Sequence, residues 1–206
     1  MHCIALFLGL LGLVDPALVA TLAPMTGLPV ADVEKALRGE IAVRSETVTS
    51  ASGKSSGRGV GAVLIGKPIA DCWAVVSRYE DKAEYQPRIK KVTVLDKSPE
   101  RLHVKMEVDA SVMTARYTGW FALDAARHSV HWTLDHAAPD NNITDVDGGY
   151  QLFEVGPGDT LLVYRTWVDS GRSVPRFIQD YMAKKSIPDL LGAIKKRIES
   201  GGTYHK

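Results

Sequence analysis

The chain has 206 residues, 45% of them hydrophobic and 24% charged, with 25 basic against 24 acidic side chains. That length and apolar content suffice for one domain with its own core. The near balance of charge lacks the basic excess of a nucleic-acid footprint, so nucleic acid is not an expected partner.

The chain opens on an unbroken apolar run, "CIALFLGLLGLV" from Cys3 to Val14, followed by Asp15–Pro16 and small residues up to Ala23. The run is too short for a membrane span and suits the h-region of a signal peptide. Residues 1–23 therefore read as a signal peptide and the protein as exported, periplasmic or secreted; a buried N-terminal helix is the alternative. Only His2 and the terminal amine serve as an n-region, and cleavage at Ala20–Ala23 leaves either Leu18 at −3 or Pro24 at +1. Removing the leader takes one acid, Asp15, and raises the net charge from +1 to +2. Cys3 would leave with it, so Cys72 has no intrachain disulfide partner.

Residues 24–57 form an N-terminal extension. "LPVADVEKALRGEI" places Val30, Val33 and Leu37 on one helical face. A strand follows, then the Gly/Ser loop "SASGKSSGRG" and a second strand over Val60–Ile65. In "KPIADCWAVVSRYEDKAEYQPRI", Pro68 starts a helix with Ile69, Trp73 and Val76 on one stripe, and a second short helix runs to Tyr85 before Pro87. Beyond Pro87 the period changes from 3.6 to 2. In "RLHVKMEVDA", Leu102, Val104, Met106 and Val108 alternate with Arg101, His103, Lys105 and Glu107, the pattern of a half-buried antiparallel strand. Four further strand-like runs, joined by turn-like links, extend a meander of five or six strands. A long amphipathic helix follows, then a short tail at residues 201–206. Strands with helices inserted early and one long helix last make an α+β layout.

That last stretch, "VPRFIQDYMAKKSIPDLLGAIKKRIES", holds two prolines. Ser173 can cap, with Pro175 in the first turn, where its missing N–H is harmless. Pro188 breaks the middle. At about 100° per residue, Phe177, Ile178, Tyr181 and Met182 centre near ~70°, and Ile187, Leu190, Leu191, Ile194 and Ile198 near ~275°. A break around Lys184–Pro188, with Ser186 as a new cap, turns both stripes onto one sheet; a straight helix buried on both sides is the alternative.

The proline, aromatic and aliphatic residues Pro175, Phe177 and Ile178, the later pair Ile187–Pro188, then Leu190–Leu191 and a basic end resemble the C-terminal helix of START lipid-transfer domains. "VLIGKPIADCWAVVSRYEDKAEYQPRIKKVTVL" is similar to the opening of the wider START-like (SRPBCC) superfamily, which includes polyketide cyclase and coenzyme Q-binding-type members, with Trp73, Tyr85 and Pro87 at its marked positions. The resemblance covers roughly residues 58–200. It implies a helix-grip fold, in which a curved antiparallel β-sheet wraps around a long kinked C-terminal helix and a ligand tunnel lies between them.

Alternation makes Met106, Val108, Tyr117, Phe121, Trp132 and Trp167 candidates for the inward face, with Phe177, Tyr181 and Met182 from the helix. Trp73 and Tyr85 join them through the resemblance. Together they line a cavity for a hydrophobic ligand, or they fill a core. Arg165 interrupts the phase Leu161, Val163, Trp167: inward, it is a buried cation able to anchor a lipid phosphate or carboxylate; outward, a surface residue. His128 and His131 point to opposite faces of a strand and cannot share a metal. "DVDGG" lacks the acids of a calcium loop, and "GRGVGA" precedes a strand where a dinucleotide fingerprint would follow one. Neither metal nor cofactor is expected.

The leading expectation is a non-enzymatic carrier of a lipid or sterol-like molecule, gated by the last helix, whose basic residues could touch a membrane surface transiently. A polyketide aromatase/cyclase of the same superfamily is the alternative, with few inward acid–base candidates (Tyr117, Arg165, His136). A protein-interaction module with a filled core is a third.

Overall fold

The structure is a computed structural model that describes residues 14–49, 55–110, 113–169, 171 and 181–206. In chain order its elements are α1 (Pro16–Thr26), α2 (Val30–Leu37), β1 (Ala42–Thr49), β2 (Ser55–Ile65), α3 (Ile69–Val76) and α4 (Lys82–Tyr85). Then come β3 (Ile89–Lys97), β4 (Arg101–Asp109), β5 (Thr114–Asp124), β6 (Ser129–Leu134), β7 (Asp145–Gly156) and β8 (Asp159–Asp169). A π-helical turn (Met182–Ser186) leads into α5 (Ile187–Glu199). The strands form one antiparallel sheet in the order β1-β2-β8-β7-β6-β5-β4-β3. The β3–β8 meander is thus joined to the early hairpin through β2 and β8, so the sheet curls around α5. This is the α+β helix-grip architecture.

Register sorts the two faces. On β2 and β8 the pairs Gly61–Tyr164 and Val63–Leu162 point inward, toward α5; Ala62–Val163 and Val60–Arg165 point outward. The inward set continues through Leu102, Val104 and Met106 on β4, Phe121 on β5, Trp132 on β6 and Tyr150 on β7. β8 therefore has the phase opposite to the one its alternation suggested. Leu162, Tyr164, Thr166 and Val168 face the grip, and Leu161, Val163, Arg165 and Trp167 face away. Leu161 to Val163 is buried throughout, because α1 covers the outer face too, and a doubly covered strand loses the alternation that reveals its inner side.

α1 and α2 form that cover. Val19, Leu22, Leu28, Val33 and Ala36 pack on Ala42, Ala62, Leu161 and Val163. Asp15 caps α1 by accepting from the Ala17 N–H at 2.9 Å, Pro16 sits in the first turn, and Gly27 ends the helix at φ 69°. The eight residues 16–23, within the expected leader, are thus part of the packed domain. Among the described residues no single helix is long and apolar enough to cross a membrane.

α5 closes the inner face. Ile187, Leu191, Ile194 and Ile198 are all at most 2% exposed. Gly59 and Gly61 permit this approach: a Cβ on Gly59 would lie 2.5 Å from an Ile187 methyl, and one on Gly61 would lie 2.8 Å from a Leu191 methyl. Two of the glycines of "GRGVGA", Gly59 and Gly61, serve helix–sheet contact. The break before Pro188 is present, in a different form from the expected capped restart. A π-helical turn absorbs the irregularity, and Ser186 has helical backbone angles and makes no side-chain cap. Phe177 lies outside the described residues, as does the side chain of Met182, so the stripe from Phe177 to Met182 is represented by Tyr181 alone. Residues 201–206 fold back onto α4 and β3, where the Lys206 amine donates to the carbonyls of Gln86 and Ile89 at 2.9 and 2.7 Å.

Candidate functional site

The inward face is solidly filled at one end and, among the described residues, less fully buried at the other. Leu102, Val130, Leu152, Ile65, Ile194 and Ile198 are at most 2% exposed and form a solid core. Toward the opposite end, Val108, Tyr117, Tyr164, Val168 and Tyr181 all keep accessible surface. Tyr117 is the telling residue. Burial pushes its phenol far above the ordinary range, with Tyr164 adding to the effect, yet the residue as a whole is only partly buried. Tyr117, Tyr164, Val108 and Val168, all partly accessible on the inward face, border the candidate ligand space.

The wall of this space is aromatic. Phe121, Trp132, Tyr150 and Tyr164 form a continuous run, with Trp132 5.9 Å from Phe121, 5.2 Å from Tyr150 and 6.0 Å from Tyr164 between ring centroids. Such offset and tilted pairs favour a rigid lining. Gly148 makes room for it: a Cβ there would lie 2.4 Å from the Trp132 ring.

At its base lies a polar group that the inward strand pattern did not indicate. Tyr79, Lys82, Tyr85 and Gln86 come from α4 and the turn before it, and all four are at most 2% exposed. The Lys82 amine donates to the Val76 carbonyl at 2.9 Å and sits 4.4 Å and 4.9 Å from the ring centroids of Tyr79 and Tyr150. Burial drives its pKa down to about 7, opposed weakly by Asp81. The Tyr79 hydroxyl is buried with no hydrogen-bond partner. Its pKa is raised first by burial, then by the neighbouring phenols of Tyr150, Tyr117, Tyr85 and Tyr164. These tyrosines link Lys82 to the partly open Tyr117 and Tyr164. The spacing of Tyr79, Lys82, Tyr85 and Gln86, three residues apart and then adjacent, was the available signal: it puts them on one side of a helical turn.

Of the residues expected to line a site, Met106, Val108, Tyr117, Phe121 and Trp132 do face the grip. Tyr85 is buried between α4 and α5, under the Arg197 guanidinium at 5.3 Å. Tyr181 lies at the open end, 4.8 Å from the Arg88 guanidinium. Trp73 packs edge-on against His128 at 5.9 Å, at the filled end, so it closes the core instead of lining the space. Arg165 and Trp167 are on the outer face. Arg165 donates to the Met25 carbonyl on α1, and the Trp167 indole donates to Ser56 at 2.8 Å. Outward orientation follows from the register of β8, so neither reaches an enclosed ligand. A separate cleft of about 430 Å³ lies between α3, α4 and the end of α5, bounded by Asp71, Arg78, Asp81 and Arg197. Its charged rim sets it apart from the aromatic space.

Among the described residues, not every basic side chain of the last helix is free to form a surface face. Arg197 is buried and bound to Glu84 at 2.9 Å, and Lys195 is tied to Glu199 at 2.9 Å. Lys184, Lys185 and Lys196 are exposed. Among the described residues no group of His, Cys, Asp and Glu side chains could hold a metal ion.

No protein-family model and no curated protein matches the sequence. Solved structures do match the fold. The STAR-related lipid transfer protein of Xanthomonas axonopodis is similar with TM-score 0.61 at 14% identity, over 77% of this chain and 93% of that one. Human StAR-related lipid transfer protein 5 is similar with TM-score 0.57 at 12% identity, over 88% and 98%. The Zhui aromatase/cyclase of Streptomyces sp. R1128 is similar with TM-score 0.58 at 18% identity, over 76% and 94%. The chain therefore has the START-like helix-grip fold. That fold serves both lipid-transfer proteins and cyclases, and the likeness alone does not choose between them.

Proposed function

We propose that the protein binds a hydrophobic small molecule, lipid- or sterol-like, in the aromatic space between the curved sheet and the last helix, and carries it without chemical change. The observation that supports this most is Tyr117, an inward residue that stays only partly buried while desolvation raises its phenol. Apolar burial drives binding at roughly 25 cal/mol per Å² before entropic losses. The π-helical turn ahead of α5 is the natural hinge for loading, and the exposed Lys184 and Lys185 beside it could meet an anionic membrane there. The test is uptake of the fluorescent probe N-phenyl-1-naphthylamine, compared with Ala115→Trp, which fills the inward face beside Val108. The wild type should bind the probe and the variant should not; no uptake by folded wild type would overturn the reading.

A second reading, cyclisation of a polyketide-like substrate, draws support from one observation. Lys82 has its pKa lowered to about 7, the value a general base needs near neutral pH, and lies against the Tyr79 ring. Turnover of a poly-β-carbonyl substrate by wild type, lost in Lys82→Met, would favour this reading over the carrier.

A further inference from the structure

We infer that the base of the chamber is a head-group site for a hydrophobic acid, whose carboxylate pairs with the Lys82 amine and accepts from the Tyr79 hydroxyl. This rests on the carrier reading and specifies its cargo. Three observations converge on it.

Lys82 is a buried amine with unused hydrogen-bonding capacity. An ammonium has three N–H donors; here one goes to the Val76 carbonyl, and two aromatic faces partly cover the rest. Among the described residues no carboxylate forms an ion pair with it. The groups facing it are Asp81, the residue before α4, itself bound to Arg78 at 3.3 Å, and the neutral phenols of Tyr79 and of Tyr150 on β7; Arg197 of α5 stops at Tyr85. A buried charge of this kind is stabilised by whatever counter-charge enters with a ligand.

The Tyr79 hydroxyl is the second observation. A buried polar atom without a partner is rare in folded proteins and costs roughly 1–3 kcal/mol. The Lys82 amine sits over its ring, 4.4 Å from the centroid, which places the two donors in one neighbourhood. A hydroxyl and an ammonium both donate, and together they select an acceptor; a carboxylate offers two oxygens to meet both.

Connection to the open end is the third. The Tyr79 ring packs edge-on against Phe121 at 4.6 Å, and the run continues through Trp132 to Tyr164, which keeps accessible surface. The apolar body of an acid would lie along Phe121, Trp132 and Tyr164, with its head group reaching down to Lys82.

The test compares acid–ester pairs (decanoate, oleate and 2-naphthoate against their methyl esters) by competition with a bound fluorophore on the full chain. At pH 6.5, below its pKa of about 7, the Lys82 amine is mostly protonated before the ligand arrives. Wild type should prefer the acid of at least one pair by about 10- to 100-fold. Lys82→Met should abolish that preference while leaving ester affinity within about threefold. Tyr79→Phe removes only an unpartnered hydroxyl, so it should reduce the preference with no loss of stability, which protects the test against a misfolded Lys82 variant. Equal binding of acid and ester by wild type, or a preference that survives Lys82→Met, overturns this inference and leaves the carrier standing. Binding of neither member of any pair overturns both.

Discussion

Gly61 and Leu191 meet at the point where the last helix lies closest to the sheet: a Cβ on the glycine would fall 2.8 Å from the leucine methyl. The same Cβ would also lie 3.2 Å from the Ala42 carbonyl oxygen, so the helix cannot simply slide along β2 to escape it. The grip on α5 depends on this bare stretch of strand.

Gly61→Ala should therefore destabilise the protein by about 1–3 kcal/mol, the usual range for overpacking a tight core contact. Gly192→Ala, on the same helix but with only a 3.7 Å neighbour, should be near neutral. Urea unfolding of both variants checks the contrast.

Arg197 holds α5 to α4 from the other side. It donates to the Glu84 carboxylate and to the Tyr204 carbonyl, at 2.9 and 2.8 Å, and covers the Tyr85 ring. Arg197→Met should cost about 1.5–3 kcal/mol, the range for lost charge-assisted hydrogen bonds, tempered because Glu84 is half exposed. Hydrogen exchange should then show faster opening in α4 and residues 201–206 than in β4 or β5.

Lys82 gives stability an unusual pH dependence. Its pKa is about 7 in the folded protein against 10.5 ordinarily, so between these values the unfolded chain holds a proton that the folded one has lost. Stability rises with pH wherever the unfolded state binds more protons, here by up to about 1.4 kcal/mol per unit. Below pH 7 both states are protonated and the burial cost is fully present. Above pH 10 the sign reverses, because Tyr79, Tyr117 and Tyr150 have raised folded pKa values and the unfolded chain ionises first. Unfolding free energy measured from pH 6 to 11 should peak at roughly pH 9–10, and Lys82→Met should flatten the rising limb.

The position of any leader cleavage can be tested through α1. Val19 and Leu22 are 2% and 4% exposed against the outer face of the sheet. A chain beginning at Pro24 loses both, and should be less stable than one beginning at Asp15 by about 3–6 kcal/mol at 1.5–3 kcal/mol per buried side chain. Export with removal of a leader is compatible with this packing when the cut precedes Asp15. Intact mass of the protein purified from the cells that make it, with denaturation of the two truncated forms, checks both statements.

Much of this architecture was legible because period and punctuation agree with tertiary packing. Leu102, Val104 and Met106 alternate on β4, which is covered on one face only, and Pro188 marks a real irregularity in the last helix. The inner phase of β8 was hidden where Leu161, Leu162 and Val163 are buried on both faces, since a doubly covered strand carries no alternation. Arg165 and Trp167 were drawn inward by that ambiguity. The Lys82 site was missed for a different reason. A lysine in "YEDKAEYQ" reads as the solvated face of a short helix, and only the tertiary position of α4 beneath Tyr150 buries it.

The central claim is that a hydrophobic ligand occupies the space lined by Tyr117, Trp132 and Tyr164. The most direct test is native mass spectrometry of the protein purified from the cells that make it, followed by solvent extraction of what it holds. A stoichiometric adduct that dissociates on activation and is recovered as an apolar small molecule is the predicted result. A mass equal to the bare chain, unchanged after incubation with fatty acids, phospholipids and sterols, would contradict it.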